Sequence, residues 1–225
     1  MTPRLDWRSN HDPRSLRYGV ADDLDWDAPL KPRSWRRGPV LDQGEEGMCV
    51  GMGVAGELGC SPVRVPGVDF ALAEGIYREA QGIDEWPGED YSGTSVLAGM
   101  KVAVARGYFS GYHWCLDIDQ TARTVVQLGP VVIGVPWSSE MYSTDDRGVV
   151  KLGGSPVGGH CLVVTGFHPR HPWTGGPAFT WLNSWGTDYG IRGRAVIRKD
   201  DLAQLLAVTG ECAVPHGRKL PDTPH

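Results

Sequence analysis

The pattern of apolar residues changes near the middle of the chain, and this change most limits how the chain can fold. In the first half, apolar residues recur at helical spacing in segments that end at glycine or near proline. In the second half, short β-rich runs are separated by Gly, Pro, Asn and Asp. Helices before strands predict an α+β fold, with a mainly helical part followed by an antiparallel β part. The predicted helices cover residues 49–59, 69–80, 94–107 and 119–128, and the predicted strands are VVIGV, GVVKL, CLVVTGF, AFTWLN and RAVIR.

The domain organisation follows from the same pattern. Residues 1–38 are rich in Asp, Arg and Pro without helical or strand periodicity, so we expect an extended N-terminal arm laid over the surface. Residues 39–212 are predicted to form one domain, helical over about 39–118 and β-rich over about 119–212. Residues 213–225 are expected to be a loose tail. The apolar face of the second helix is predicted to contain Phe70, Ala73, Ile76, Tyr77 and Ala80.

Composition narrows the function classes. The net charge is -5 and no dense Lys/Arg run occurs, so nucleic acid is not an expected partner. No apolar run approaches the roughly 18 residues of a membrane span, and MTPRLDWRSN lacks the apolar region of a signal peptide. We therefore expect no membrane partner and synthesis in the cytoplasm. The five scattered cysteines argue against a disulfide framework, although one bridge stays open.

Cys49 is the first candidate for a reactive group. It stands at the start of the small-residue segment CVGMGVAGELG, where a helix N-terminus would lower the pKa of a thiol. A thiol attacks well only as a thiolate, so it also needs a base to hold its proton. A lone cysteine is more often a buried packing residue, so Cys49 indicates a nucleophile only together with the partner residues described next.

His160 is the best candidate for that base. It follows two glycines and begins an apolar β-run, where an imidazole can face a cleft. Asn183 in NSWG carries a carbonyl that can fix the ring tautomer, and Trp185 can shield their hydrogen bond from water. Three distant segments thus supply nucleophile, base and orienting group.

Gln43, GMC ending at Cys49, GGH ending at His160 and NSWG from Asn183 resemble the papain-like (C1) cysteine peptidases in order and context. The likeness extends from about residue 40 to 197 and includes SGTSVLAGMKVAVARGY and LGPVVIGVPW, which look like bacterial and viral members. It implies a two-lobe fold, helical and β-barrel-like, with the active-site cleft between the lobes. It also implies an acyl-enzyme on Cys49, no cofactor, and a peptide or protein substrate.

The resemblance assigns further roles. Gln43 and the Cys49 backbone N–H would form the oxyanion hole, and the candidate substrate-binding residues are Gly93, Gly159, Trp185 and Trp137. The chain departs from the family at Glu46, where members often carry a disulfide cysteine, and at Val50, which replaces an aromatic residue. No long inhibitory propeptide is expected, because few residues precede Cys49.

Alternatives remain at this stage. The chain could be a non-catalytic scaffold of the same fold, with an unknown assembly or virion partner, or an amidase or acyltransferase acting on cell-wall or other amide cross-links. A metal is not expected, since HPRHP and the pair Cys212 and His216 each offer only two ligands. Cys161 is expected to lie in the core, and Cys60, Cys115 and Cys212 are read as structural.

Overall fold

A seven-stranded antiparallel sheet organises the molecule, which we describe from a computed structural model over residues 3–10, 12–86 and 91–220. Its strands are β1 (Arg33–Ser34), β2 (Gly111–Trp114), β3 (Val131–Ser138), β4 (Pro156–His168), β5 (Ala178–Leu182), β6 (Arg194–Arg198) and β7 (Glu211–His216). The strand order is β2-β7-β3-β4-β5-β6, and β1 pairs with β4 beside this path. All pairings are antiparallel.

Five α-helices accompany the sheet within the described residues. They are α1 (Cys49–Leu58), α2 (Phe70–Ile83), α3 (Val96–Ala105), α4 (Ile118–Gln127) and α5 (Lys199–Val208). Three begin at side-chain caps: Asp69, Ser95 and Asp117 each accept a hydrogen bond from a backbone N–H in the first turn. Short 3₁₀ helices lie at Pro13–Tyr18, Ala21–Asp23 and Ser139–Tyr142.

Side chains along the central strands point alternately to the two faces of the sheet, and a hydrophobic core lies on each face. Val132 of β3 and Cys161 of β4 pack into the cluster formed by α1, α2 and α3. Their neighbours Val131, Ile133 and Leu162 pack into the opposite cluster, with residues of α4 and α5. Both faces are covered, which explains why these strands are apolar without interruption. The predicted α+β architecture, helical part before antiparallel part, is confirmed.

Several local predictions differ from the structure. Phe70 is 43% exposed, because it is the first residue of α2 and lies beyond the buried face formed by Ala73, Ile76, Tyr77 and Ala80. GVVKL, predicted as a strand, forms only isolated bridges, such as the one from Val149 to Val196. The sequence did not predict helix α5 or strand β2.

The predicted loose tail from residue 213 is wrong for its first part. Residues 213–216 belong to β7, and Arg218 forms a buried ion pair with Glu57 at 2.7 Å. Pro215 is tolerated in this strand because β3 pairs with β7 only from Glu211 to Ala213, so its missing N–H breaks no bond to β3. Residues 221–225 lie outside the described residues.

The N-terminal arm does not lie wholly on the surface, contrary to the sequence prediction. Trp7, Val20 and Leu24 are buried, and residues 33–34 form β1.

No helix within the described ranges is long and apolar enough to cross a membrane. The five cysteines all fall within those ranges, and none of them forms a disulfide there.

Candidate active site

Helix α1 begins at Cys49, as the sequence predicted, and glycines let it approach its neighbours closely. A Cβ on Gly51 would overlap the carbonyl oxygen of Ala73 in α2, and a Cβ on Gly53 would crowd the sulfur of Cys161 in β4. The glycines that weaken an isolated helix therefore bring its N-terminus against the sheet. Burial raises the pKa of the Cys49 thiol, and the backbone N–H of Cys161, the residue that follows His160, opposes this rise.

His160 and Asn183 form a buried hydrogen bond. His160 lies on β4, Asn183 follows β5, and 2.7 Å separates His160 Nε2 from Asn183 Oδ1. Asn183 Oδ1 also accepts from the backbone N–H of Ser184 at 2.8 Å, so this atom acts as an acceptor and the His160 ring donates from Nε2. In the neutral ring Nδ1 then carries the lone pair, and it has no hydrogen-bond partner within the described part of the chain. This is the tautomer that a general base requires.

Two tryptophans enclose the His160 ring. The ring of Trp185 lies 4.6 Å from it and that of Trp137 lies 4.9 Å from it, measured between centroids. Trp185 is 8% exposed and Trp137 is 1% exposed, so both pack around the imidazole and shield its bond to Asn183. Their predicted contact with substrate stays a prediction.

Gln43 is buried next to the same residues. Its Oε1 accepts from the Ser184 hydroxyl at 2.8 Å, and its Nε2 donates to the carbonyl oxygen of Glu46 at 2.7 Å. A second donation from Nε2 goes to the carbonyl oxygen of Arg4 at 3.1 Å. The amide is therefore held by fixed neighbours, and one of its donors is occupied by the N-terminal arm.

Residues 4–8 of the arm, here called the covering segment, lie along both predicted groove glycines. The backbone N–H of Trp7 donates to the carbonyl oxygen of Gly159 at 3.0 Å, and a Cβ on Gly159 would overlap the Trp7 side chain. The indole Nε1 of Trp7 donates to Glu211 at 3.4 Å. Because Gly159 has no side chain, the covering segment can lie close against the backbone of β4 at this point.

Gly93 faces the covering segment from the other wall. It has φ +89°, a conformation that favours glycine, and a Cβ there would overlap the carbonyl oxygen of Asp6. The next residue, Thr94, pairs in parallel with Trp7 and accepts from the backbone N–H of Arg8 at 3.0 Å. The covering segment thus makes main-chain hydrogen bonds to both sides of the cleft.

Burial controls the charges of the enclosed site. Cys49 and His160 are 0% exposed. Burial raises the pKa of the Cys49 thiol to about 11, against the opposing effect of nearby backbone N–H groups, including those of Asp6 and Trp7. Burial lowers the pKa of His160 to about 4, against the opposing hydrogen bond to Asn183. With the covering segment in place, thiol and imidazole are both neutral at pH 7.

Sequence reasoning missed the covering segment and one polar cluster. Asp23, His113 and His216 come from three separate segments and have candidate ligand atoms within 4.8 Å of one another. His113 Nδ1 lies 2.7 Å from Asp23 Oδ2, and the rings of His113 and His216 stack at 4.9 Å. Cys212 is buried while His216 is exposed, and the cluster around His216 does not include Cys212. The absence of a bound metal stays a prediction.

Comparison with known proteins extends the description of the fold. No protein-family model matches the sequence, and no curated protein matches it by sequence. Among solved structures, xylellain, a cysteine protease from Xylella fastidiosa, is similar over 96% of each chain, with 16% identity and a TM-score of 0.64.

Two further structures agree with this. The bromelain protease from Ananas comosus, in complex with the E64 inhibitor, matches 85% of this chain and 100% of its own, with 14% identity and a TM-score of 0.59. Digestive procathepsin L 3 of Tenebrio molitor matches 94% of this chain and 83% of its own, with 17% identity and a TM-score of 0.55. The chain therefore has the papain-like fold that the sequence resemblance implied.

Proposed function

We propose that the protein is a cysteine peptidase that hydrolyses peptide bonds through an acyl-enzyme on Cys49. The observation that carries this proposal is the buried bond from His160 Nε2 to Asn183 Oδ1, at 2.7 Å. This bond leaves Nδ1 of His160 free to accept a proton. His160 lies on β4, the strand whose next residue, Cys161, is close to the Cys49 thiol. A packing histidine has no need for a fixed tautomer with a free second nitrogen.

Each residue has a role in the proposed reaction. His160 Nδ1 takes the proton of the Cys49 thiol, and the thiolate attacks the carbonyl carbon of the substrate. The oxyanion accepts hydrogen bonds from the Cys49 backbone N–H and from the Gln43 side-chain amide. His160 then donates its proton to the departing amine. In the second half, His160 removes a proton from water as the water oxygen attacks the thioester carbonyl. The Cys49 sulfur leaves as a thiolate and takes the proton back from His160, which restores the starting state.

The covering segment supports a polypeptide substrate. It lies extended in the cleft and is held by main-chain bonds to Gly159 and Thr94, which any peptide sequence could form. A groove that binds an extended backbone in this way suits peptides or proteins. A cell-wall amidase or an acyltransferase would use the same nucleophile and would differ in its products, so product analysis separates these activities from hydrolysis of proteins.

The covering segment also has to leave before substrate can bind. The carbonyl oxygen of Arg4 occupies a donor of Gln43 that the oxyanion would need, and Trp7 occupies the wall at Gly159. We therefore assign the enclosed arrangement to a latent form. Displacement of residues 4–8 would hydrate Cys49 and His160 and favour their charged, reactive pair.

Labelling with an E-64-type epoxide tests the proposal. The full chain and a variant lacking residues 1–10 are treated in parallel, and the modified cysteine is identified by peptide mapping. We expect an adduct on Cys49, formed faster in the shortened variant, and none in a shortened His160→Ala control. Absence of any Cys49 adduct in a shortened variant that is folded would contradict the proposal and favour a non-catalytic scaffold.

A further inference from the structure

A pocket lies apart from the proposed catalytic residues, against β1 and strands β4, β5 and β6. It encloses about 180 Å³, enough for a small molecule. None of its lining residues belongs to the proposed catalytic set. The residues that matter here are Ser34, Arg37, His168, Trp173, Thr180 and Arg194, and we call this site the Arg37–Arg194 pocket.

Two arginines, Arg37 and Arg194, line this pocket, and none of its lining residues is an Asp or Glu. Within the described residues, neither Arg37 nor Arg194 forms an ion pair. Burial, together with repulsion by Arg194 and Arg192, holds the pKa of Arg37 below its usual range. Arg194 donates from Nε to the carbonyl oxygen of Ile191 at 3.4 Å, which leaves the end of its guanidinium available.

Two other enclosed arginines are neutralised by carboxylates, whereas Arg8 and Arg123 donate to backbone carbonyl oxygens without an ion pair in the described residues. Arg218 pairs with Glu57 at 2.7 Å, and Arg106 pairs with Glu79 at 2.8 Å. Two partly buried cations that repel each other cost free energy unless an anion joins them. The missing negative charge is therefore best supplied by a ligand.

The remaining walls indicate what kind of anion fits. Ser34 and Thr180 offer hydroxyl groups, and the His168 ring adds polar nitrogens. Trp173, which is 40% exposed, provides an aromatic wall at the same pocket. The combination suits a compact anion with several acceptor oxygens, with space for a small organic group beside it.

We infer that the Arg37–Arg194 pocket binds a small phosphate-bearing molecule, either inorganic phosphate or a phosphate monoester. The planar donor forks of two guanidinium groups match the oxygens of a phosphate, and a dianion neutralises both cations. This inference is independent of the peptidase proposal, because it concerns other residues and another ligand.

Calorimetric titration with inorganic phosphate and with phenyl phosphate, against chloride at equal ionic strength, tests the inference. The native chain should bind at least one of the two phosphates, and the tighter one identifies the source. Arg37→Gln/Arg194→Gln should weaken that binding by about tenfold or more. The control Arg17→Gln/Arg78→Gln removes the same charge from exposed positions and should leave binding within about twofold.

If the double variant Arg37→Gln/Arg194→Gln does not fold, a conservative single variant still tests the inference. Arg37→Lys retains the charge and loses the planar fork, so it should weaken phosphate binding by several-fold while the thermal midpoint without phosphate stays close to that of the native chain. Two results would overturn the inference. One is that the native chain binds neither phosphate, and the other is that the pocket variants bind as tightly as the native chain.

Discussion

The carbonyl oxygen of Arg4 accepts a hydrogen bond from the side-chain amide of Gln43, at 3.1 Å. In the proposed mechanism, that amide is a donor for the oxyanion that develops on the substrate. The arm therefore occupies a group that the reaction needs, at the same time as Trp7 covers the wall at Gly159. Latency in this protein would come from a few backbone contacts made by residues close to its N-terminus.

Loss of the Trp7 side chain should open the site. Trp7 is only 6% exposed, and losing its burial costs about 2–3 kcal/mol, so Trp7→Ala should raise the rate of Cys49 alkylation about 30- to 150-fold. The matched control is Trp26→Ala, because Trp26 belongs to the same arm and is 46% exposed. Mass-spectrometric labelling rates for both variants give the comparison. Equal rates for Trp7→Ala and the native chain would show that the covering segment does not limit access.

Gln43 should affect the chemical step once the arm is absent. In a chain lacking residues 1–10, Gln43→Ala should lower kcat by about 10²–10³, the usual cost of one oxyanion donor. Gln43→Glu keeps the size of the side chain. It should lower kcat by as much as Gln43→Ala, because a carboxylate donates no hydrogen bond at neutral pH. Steady-state rates on a peptide substrate measure both. An effect confined to KM would instead assign Gln43 to substrate binding.

Stability should depend on pH through His160. Burial holds its pKa at about 4, below the ordinary value of 6.5, so the unfolded chain takes up a proton that the enclosed ring does not. The stability contribution is fully present above about pH 6.5 and is lost as pH falls towards 4, by at most about 1.4 kcal/mol per pH unit.

The measurement is the thermal midpoint of the native chain and of His160→Gln at pH 7 and pH 5. The native midpoint should fall further than that of the variant, because other titrating groups act equally in both. Parallel falls would mean that the ring is not enclosed in solution.

The ion pair between Glu57 and Arg218 should be important for stability. Burial raises the pKa of Glu57, and Arg218 opposes this rise at 2.7 Å. Arg218→Ala would leave a buried carboxylate unpaired, at a cost of about 3–5 kcal/mol in unfolding free energy. Glu57→Leu/Arg218→Met should recover most of that loss. Denaturant titration of the three proteins checks the expectation, and a single-variant cost under about 1 kcal/mol would contradict it.

The catalytic candidates could be predicted because their side chains carry chemistry in a recognisable order. Cys49 begins α1, His160 lies in β4, and Asn183 follows β5, as the motifs indicated. The contacts of the covering segment could not be predicted, because Trp7 and Gly159 meet through backbone atoms that leave no pattern of residue types.

Two other differences concern the formation of strands. GVVKL has the composition of a strand, yet its residues form only single bridges, one of them from Val149 to Val196 of the edge strand β6. Segment 211–216 contains Pro215 and a buried Glu211, both unusual in a central strand, and was predicted mostly as tail. In each case long-range pairing overrode local propensity.

The most direct measurement of the central claim is a peptide-library digest by the chain lacking residues 1–10, with Cys49 and with Cys49→Ala in parallel. We predict cleavage by the first protein, a covalent acyl adduct on Cys49 trapped during turnover, and no cleavage by the second. Equal cleavage by both proteins would contradict the assignment of Cys49 as the nucleophile.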